Sequence, residues 1–324
     1  MASSVATVRA GADARLVRLN RTVACLSGAV LLGSSLALAV PTPSPSPPPA
    51  AWEKTVTTRP RGSFPNPRPL VATYKFGWSE LVAATAEIAL SDHDRQIIQL
   101  KGNGGTIGLV RMLWKFDTHQ RAVADAKTLR PISMHQVDER RHKTVVTDLS
   151  FTPGRVERLR SDSSSKKLPE TKDFEFPGGL FDLFSALLYI RSQPLRDGDI
   201  YRVVVYPATN AYVATLTVVE HAPITVEAGE YPAIKLDVAL KKVGKNRELE
   251  PHKKFRQASV WVSDDPDRLL LRIEASIFVG SVFAELQSVR FPGQTVARLS
   301  SPNDTGSTPR DKSVGRSTAA AVAE

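Results

Sequence analysis

The stretch from Phe255 to Val289 alternates polar and apolar residues with a period of two, which confines it to extended chain. In a first strand Ala258, Val260 and Val262 point one way, and Gln257, Ser259, Trp261 and Ser263 the other. In a second, Leu269, Leu271, Ile273, Ala275 and Ile277 share a face opposite Arg268, Leu270, Arg272, Glu274 and Ser276. Between them Asp264-Asp265-Pro266-Asp267 reverses the chain, since Asp bonds local backbone and Pro presets φ. Gly280 interrupts the pattern before Val282, Ala284 and Leu286 resume it, as at a bulge or corner that curves a sheet. Neighbouring antiparallel strands with one apolar and one wet face predict a sheet that covers a core on one side.

The same alternation recurs over Leu81–Leu90, Tyr201–Tyr206, Tyr212–Glu220 and Tyr231–Leu240, where Ile234, Leu236, Val238 and Leu240 form the inward face. His93–Leu100 reads as a return strand, and Ala122–Val137 and Lys143–Phe151 as further strands. Lys101-Gly102-Asn103-Gly104-Gly105-Thr106 lacks the Lys-Ser/Thr ending of a phosphate-binding loop and reads as a turn. Arg155–Lys172 is polar and reads as an exposed excursion, and Lys241–Lys254 as a charged loop. One helix is predicted over 179–192, with Leu180, Leu183, Phe184, Leu187, Leu188 and Arg191 as its buried stripe. Gln193-Pro194 ends it. The fold class is therefore mainly β: a curved antiparallel sheet or partly open barrel with one helix packed on it.

The termini set the compartment. Up to Ala39 there are four arginines against one aspartate, then an apolar run ending in Ala37-Leu38-Ala39. That is the layout of a secretory signal cleaved after residue 39, with an uncleaved anchor as the alternative. Residues 40–69 are proline-rich and read as a disordered linker, 70–290 as the β domain, and 291–324 as a disordered tail. The single cysteine, Cys25, lies in the N-terminal run, so the body has no disulfide, thiolate nucleophile or cysteine-ligated metal. The chain carries 43 basic and 33 acidic residues. The excess outside the N-terminus is diffuse, which suits weak attraction to a membrane surface and not nucleic-acid recognition.

No chemistry-bearing constellation stands out. The histidines His93, His119, His135, His142, His221 and His252 show neither HxxxH nor HExxH spacing, and no G-x-S-x-G elbow is present. No catalytic residue, metal ligand or cofactor is assigned. Asp264, Asp265 and Asp267 fit turn chemistry better than a cation site. Asp182 and Arg191 flank the apolar stripe of the helix, where the macrodipole favours an acid at the start and a base at the end. The alternative sets them in a cleft between helix and sheet, and the candidate cleft residues are then Asp182, Ser185, Tyr189, Arg191 and Trp261.

The segments Asp182–Arg191, Glu227-Ala228-Gly229-Glu230-Tyr231, Val260–Asp265 and Ile277–Val282, in that order, resemble the DUF3108 family of bacterial envelope proteins of unknown function. The resemblance spans roughly residues 70–290 and departs from the family at Leu269-Leu270-Leu271, where a proline is usual. It implies an exported protein with a curved antiparallel sheet, similar in outline to periplasmic lipoprotein carriers, and supplies no catalytic residues. The expectation is a periplasmic or cell-envelope protein, non-catalytic, with a concave sheet face for a lipid, another hydrophobic ligand or an envelope partner protein. Two alternatives remain open: an envelope enzyme acting on glycans through carboxylates among Asp182, Glu220, Glu227 and Asp237, and a structural scaffold.

Overall fold

The computed structural model describes residues 50–79, 81–93, 96–251, 255–277 and 280–292, and, of these, not the side chains of 93 and 255–257. The segment 1–39, Cys25, residues 40–49, His252 and the tail from 293 lie outside the described residues.

Eight strands form an N-terminal meander: β1 Leu70–Trp78, β2 Leu81–His93, β3 Ile97–Thr106, β4 Phe116–Asp125, β5 Pro131–Arg140, β6 Lys143–Thr152, β7 Arg155–Asp162 and β8 Glu170–Glu175. A short helix, α1 Gly108–Leu113, interrupts the β3–β4 connection. After β9 Leu180–Phe181 comes α2 Leu183–Ser192, then a second meander: β10 Ile200–Val205, β11 Tyr212–Val226, β12 Gly229–Val243, β13 Leu249–Pro251, β14 Phe255–Ser263, β15 Leu270–Ile277 and β16 Ser281–Arg290. Among the described residues these make one sheet in the order β8 to β1, then β16, β15, β14, β12, β11, β10, β9, with β13 beside β12. The two meanders are sewn together where β1 pairs antiparallel with β16, Val71 opposite Arg290 through Trp78 opposite Val282.

The sheet curls around α2. Phe184 and Leu188 of the helix pack with Ala122, Ala124, Met134, Leu149 and Val156 of the first meander. Ala186, Tyr189 and Ile190 pack with Tyr201, Val203, Ile234, Leu236 and Val262 of the second. The edges meet through side chains, the Phe174 and Tyr206 rings lying 5.9 Å apart. Curvature is helped by small residues: a Cβ on Gly104 would stand 2.8 Å from that of Ala86, so β2 and β3 bend tightly only with glycine there.

The mainly β architecture with one packed helix stands as read, and the structure corrects the detail in four places besides Lys241–Lys254, read as a loop, where the end of β12 pairs with the short strand β13. Residues 101–106 are strand, not turn, because their glycines serve this bend. Residues 155–172 contain β7 and the first half of β8. Their period was hidden because an inward position holds Arg158, 3% exposed and neutralised by Glu170 at 2.7 Å. The helix starts at Leu183, not 179, and is buried nearly all round: Ser185, Ala186 and Tyr189 are buried while Leu183 is 60% exposed. A stripe was the wrong shape because sheet and N-terminal chain enclose the helix on several sides.

The fourth correction concerns residues 50–69, which pack on the domain as a strap. Trp52 stacks on Phe176 at 5.6 Å and donates to the Arg247 carbonyl at 2.6 Å. Thr57 exchanges two 2.8 Å bonds with Arg202 on the edge of β10. Proline does not prevent this, since it needs only carbonyl acceptors: Pro60 and Pro65 accept from Gln193 and Arg191.

Candidate functional site

The inner face of the sheet has two halves. One is filled by α2, the strap and the turns that they touch. Asp182 caps the helix, accepting from the Ser185 backbone N–H at 2.6 Å and from its hydroxyl at 2.5 Å, while the Asp182 N–H donates to Ser185 Oγ at 3.0 Å. Its other oxygen, Oδ2, is buried without a hydrogen-bond partner, and burial pushes its carboxyl pKa up. Tyr189 donates to the Arg59 carbonyl of the strap at 2.9 Å.

At the other end of the helix two guanidiniums lie buried side by side. Arg191 donates to the carbonyls of Pro65 at 2.8 Å and Asp267 at 2.9 Å. Arg268 donates to Arg191 O at 2.6 Å, Gln193 O at 2.5 Å and Pro194 O at 3.3 Å, and lies 3.7 Å from the Phe64 ring centre. Helix carbonyls without intrahelical partners thus receive cationic donors, which also suits the macrodipole. Burial, then the charge of Arg268, lowers the Arg191 pKa to about 10. Asp265 Oδ1 fixes the turn that presents Arg268, accepting from the N–H groups of Asp267 and Arg268 at 2.8 and 3.0 Å.

Four of the five cleft candidates, Asp182, Ser185, Tyr189 and Arg191, are therefore brought together, but as the bonded and buried parts of this plug. Trp261 is not with them. It faces the opposite side of β14 from Val260 and Val262, beside Lys235, whose Nζ is 5.6 Å from the ring centre. Sequence reading missed Arg268 and the strap. The only trace of Arg268 was a cation at a turn exit, where Arg is ordinarily solvated.

The carboxylates weighed for glycan chemistry are engaged separately. Asp182 is sealed under the sheet, while Glu220 pairs with Lys235 at 3.3 Å, Glu227 with Lys75 at 2.9 Å, and Asp237 accepts from Ser259 at 2.7 Å. Among the described residues no group of three His, Cys, Asp or Glu side chains is assembled that could hold a metal ion.

The other half of the inner face is not filled by α2. A row of cross-strand partners, Val260, Ile273, Ala284, Phe76 and Ala84, runs across five strands, with Ala258 and Ala86 on the rows beside it. Val260 borders the α2 core and Ala284 is buried, while Ile273, Ala84, Ala86 and Ala258 are half-buried and Phe76 is 36% exposed. Further along the same rows, past the glycines of β3, this face is polar on β4 and β5: Thr118 and Gln136 both donate to Asp138 Oδ1 at 2.8 Å. One stretch of the face is thus apolar and the next hydrogen-bonding.

Toward the far end of β11 His221, opposite Ile234, lies with Nδ1 2.9 Å from Asp264 Oδ2 and Nε2 3.0 Å from the Leu195 carbonyl, in a groove of about 430 Å³. Both ring nitrogens face acceptors, so the imidazolium form satisfies both. The bond to Asp264 raises the pKa above the ordinary histidine value, against partial burial and with help from Leu195 and the Asp197 charge. Folding therefore favours the protonated ring. Its stabilisation is complete below about pH 6.5 and is lost as pH rises through the raised folded value. Thermal unfolding followed from acidic to alkaline pH should show melting temperature falling through that window, and His221→Gln should flatten the fall. An unchanged slope in the variant would assign it elsewhere.

Comparison with curated proteins returns no match. Among solved structures, a β-barrel-like protein of domain of unknown function DUF1849 from Brucella abortus is 10% identical, covering 71% of this chain and all of that one, with a TM-score of 0.49. A candidate lipoprotein from Parabacteroides distasonis is 9% identical over 72% of this chain and all of that one, TM-score 0.28. A candidate exported protein with a YmcC-like fold from Bacteroides fragilis is 10% identical over 71% of this chain and 99% of that one, TM-score 0.26. The family model of DUF3108, described as a protein of unknown function, matches residues 72–287, from the third residue of β1 to within three residues of the end of β16. The match takes in both meanders, the helix between them and the seam that joins them, and the chain belongs to the DUF3108 family.

Proposed function

We propose that this is an exported, non-catalytic protein of the cell envelope that holds an amphiphile, its apolar chain laid along the half-covered wall of the inner face. The observation that carries the reading is the incompletely covered apolar row from Ile273 through Phe76 to Ala84, which continues past the Val260 that borders the α2 core. A closed core would have covered these side chains. Half-exposed Ile, Phe and Ala facing a concavity are instead what an acyl chain needs, at about 25 cal/mol for each Å² removed from water. The polar stretch at Thr118, Gln136 and Asp138 suits a headgroup. Export rests on the arginine-bearing N-terminus followed by the apolar run to Ala39.

The experiment is native mass spectrometry and organic extraction of the full chain after exposure to a phospholipid mixture. Wild-type protein should carry lipid, and Ala84→Trp or Ala258→Trp, which fill the chamber from opposite sides, should each lower the amount several-fold. Thr217→Trp, on the outer face, should leave it unchanged. Absence of lipid on the wild type, or equal loading of the chamber variants, would overturn the reading.

A further inference from the structure

An antiparallel meander places every second connection at the same end of the sheet, so the β1–β2, β3–β4, β5–β6 and β7–β8 connections share one rim. That rim has an unusual surface. The β3–β4 connection carries α1, whose Leu109, Met112 and Leu113 are 75%, 72% and 85% exposed, followed by Trp114 at 56%. Trp78 and Leu81 on the β1–β2 connection are 45% and 52% exposed, and Leu168 on the β7–β8 connection is 89% exposed. Singly, exposed apolar residues are ordinary. Several of the largest side chains on three of the four tips of one rim are not.

The projecting helix is held rigidly. Arg111 makes two bonds to the Asp117 carboxylate at 2.6 and 2.9 Å, and Arg141 from the next connection donates to the Met112 carbonyl at 2.7 Å. The Trp114 ring stacks on Phe116 at 5.5 Å. The apolar side chains are thus presented outward by a fixed backbone and do not collapse onto the sheet.

Cations border them. Leu113 and Trp114 share a groove of about 400 Å³ with Lys115, Arg140, Arg141, His142 and Lys143. The nearby acids do not cancel this: Asp117 is taken up by Arg111 and Asp162 by Lys143 at 2.7 Å, leaving Glu139 against Lys115, Arg140 and Arg141. Leucine, methionine and tryptophan at the tip with arginine and lysine just behind them match the layering of a bilayer interface, where apolar groups reach the acyl boundary and cations meet anionic headgroups.

We propose that this rim, with α1 at its centre, docks on the surface of an anionic phospholipid bilayer. The inference goes beyond amphiphile binding in the chamber and stands on different residues, so either can fail without the other.

The test uses the full chain, with vesicles of phosphatidylcholine alone or mixed with phosphatidylglycerol, both containing brominated acyl chains that quench tryptophan on contact. Because the N-terminal apolar run can hold the chain on a vesicle by itself, the readout is Trp114 and not binding. Quenching should appear in the anionic vesicles, be weak in the neutral ones, and lose its main component in Trp114→Phe. The triple change Leu109→Glu, Met112→Glu and Leu113→Glu alters only solvent-facing side chains and should abolish it. Arg140→Glu with Arg141→Glu should raise the lipid concentration needed by on the order of tenfold or more. Trp114 unquenched in anionic vesicles, or quenched equally without anionic lipid, would overturn the proposal. So would concentration-dependent dimers that the triple change dissolves, which would make the rim a contact between copies.

Discussion

Replacing Arg268 with alanine is expected to cost about 3 kcal/mol of unfolding free energy. The residue is 8% exposed and its guanidinium spans the carbonyls of residues 191, 193 and 194, at and just past the end of α2. Removing it leaves buried acceptors without donors, each worth about 1–3 kcal/mol, and opens a gap beside Phe64. One effect opposes this: Arg191 loses a like-charged neighbour, so the loss is smaller than the three bonds alone would give. Urea unfolding would show it as a lower midpoint with unchanged slope. Lysine would not rescue, because an ammonium cannot reproduce the planar fork. A loss below about 1 kcal/mol would mean that water replaces the guanidinium and that the helix end is not sealed.

Gly62→Ala should be nearly as damaging, by a different route. A Cβ at this position would stand inside the van der Waals radius of the Ser192 carbonyl oxygen, which is backbone and cannot swing away. The strap must lift, breaking the bonds of Gly62 N–H to Ser192 Oγ at 2.9 Å and of Phe64 N–H to Ser192 O at 3.2 Å, and loosening the Arg191 bond to Pro65. Overpacking of this kind costs about 3 kcal/mol at its upper range. Limited proteolysis should then cut within residues 57–68 while the sheet stays resistant. A strap still protected in the variant would show that the helix end moves instead.

How far this was legible in the sequence varied with how far each residue's environment was local. The β14–β16 stretch read correctly because its alternation reports burial on one face. The Asp182 cap likewise acts within four residues. The β7–β8 region did not read, because Arg158 occupies an inward position that only Glu170 makes tolerable, and that pairing crosses a hairpin. Residues 50–69 read as spacer because nothing in a run of proline and arginine announces the carbonyl-hungry helix end 130 residues away. The half-covered apolar row was equally invisible: Val260 and Ile273 carry the same pattern of core residues, yet Val260 borders the core around α2, ten residues long, and Ile273 lies one strand further away. The rim followed the same rule, since α1 is too short to show a period and its exposure depends on the strands around it.

The β1–β16 seam has a consequence for the order of events during synthesis. Strands β1 to β8 each find their partner a few residues away, so this half can zip up early and fast. The outer edge of β1, in contrast, must await a strand whose residues come some two hundred positions later, Val71 meeting Arg290. Until the last segment arrives, a growing chain displays a raw row of N–H and C=O groups next to uncovered leucine and tyrosine, the condition under which strands recruit wrong neighbours. A ribosome stalled before residue 281 would therefore release a sticky half-product, and a holding chaperone has the most to protect in that interval.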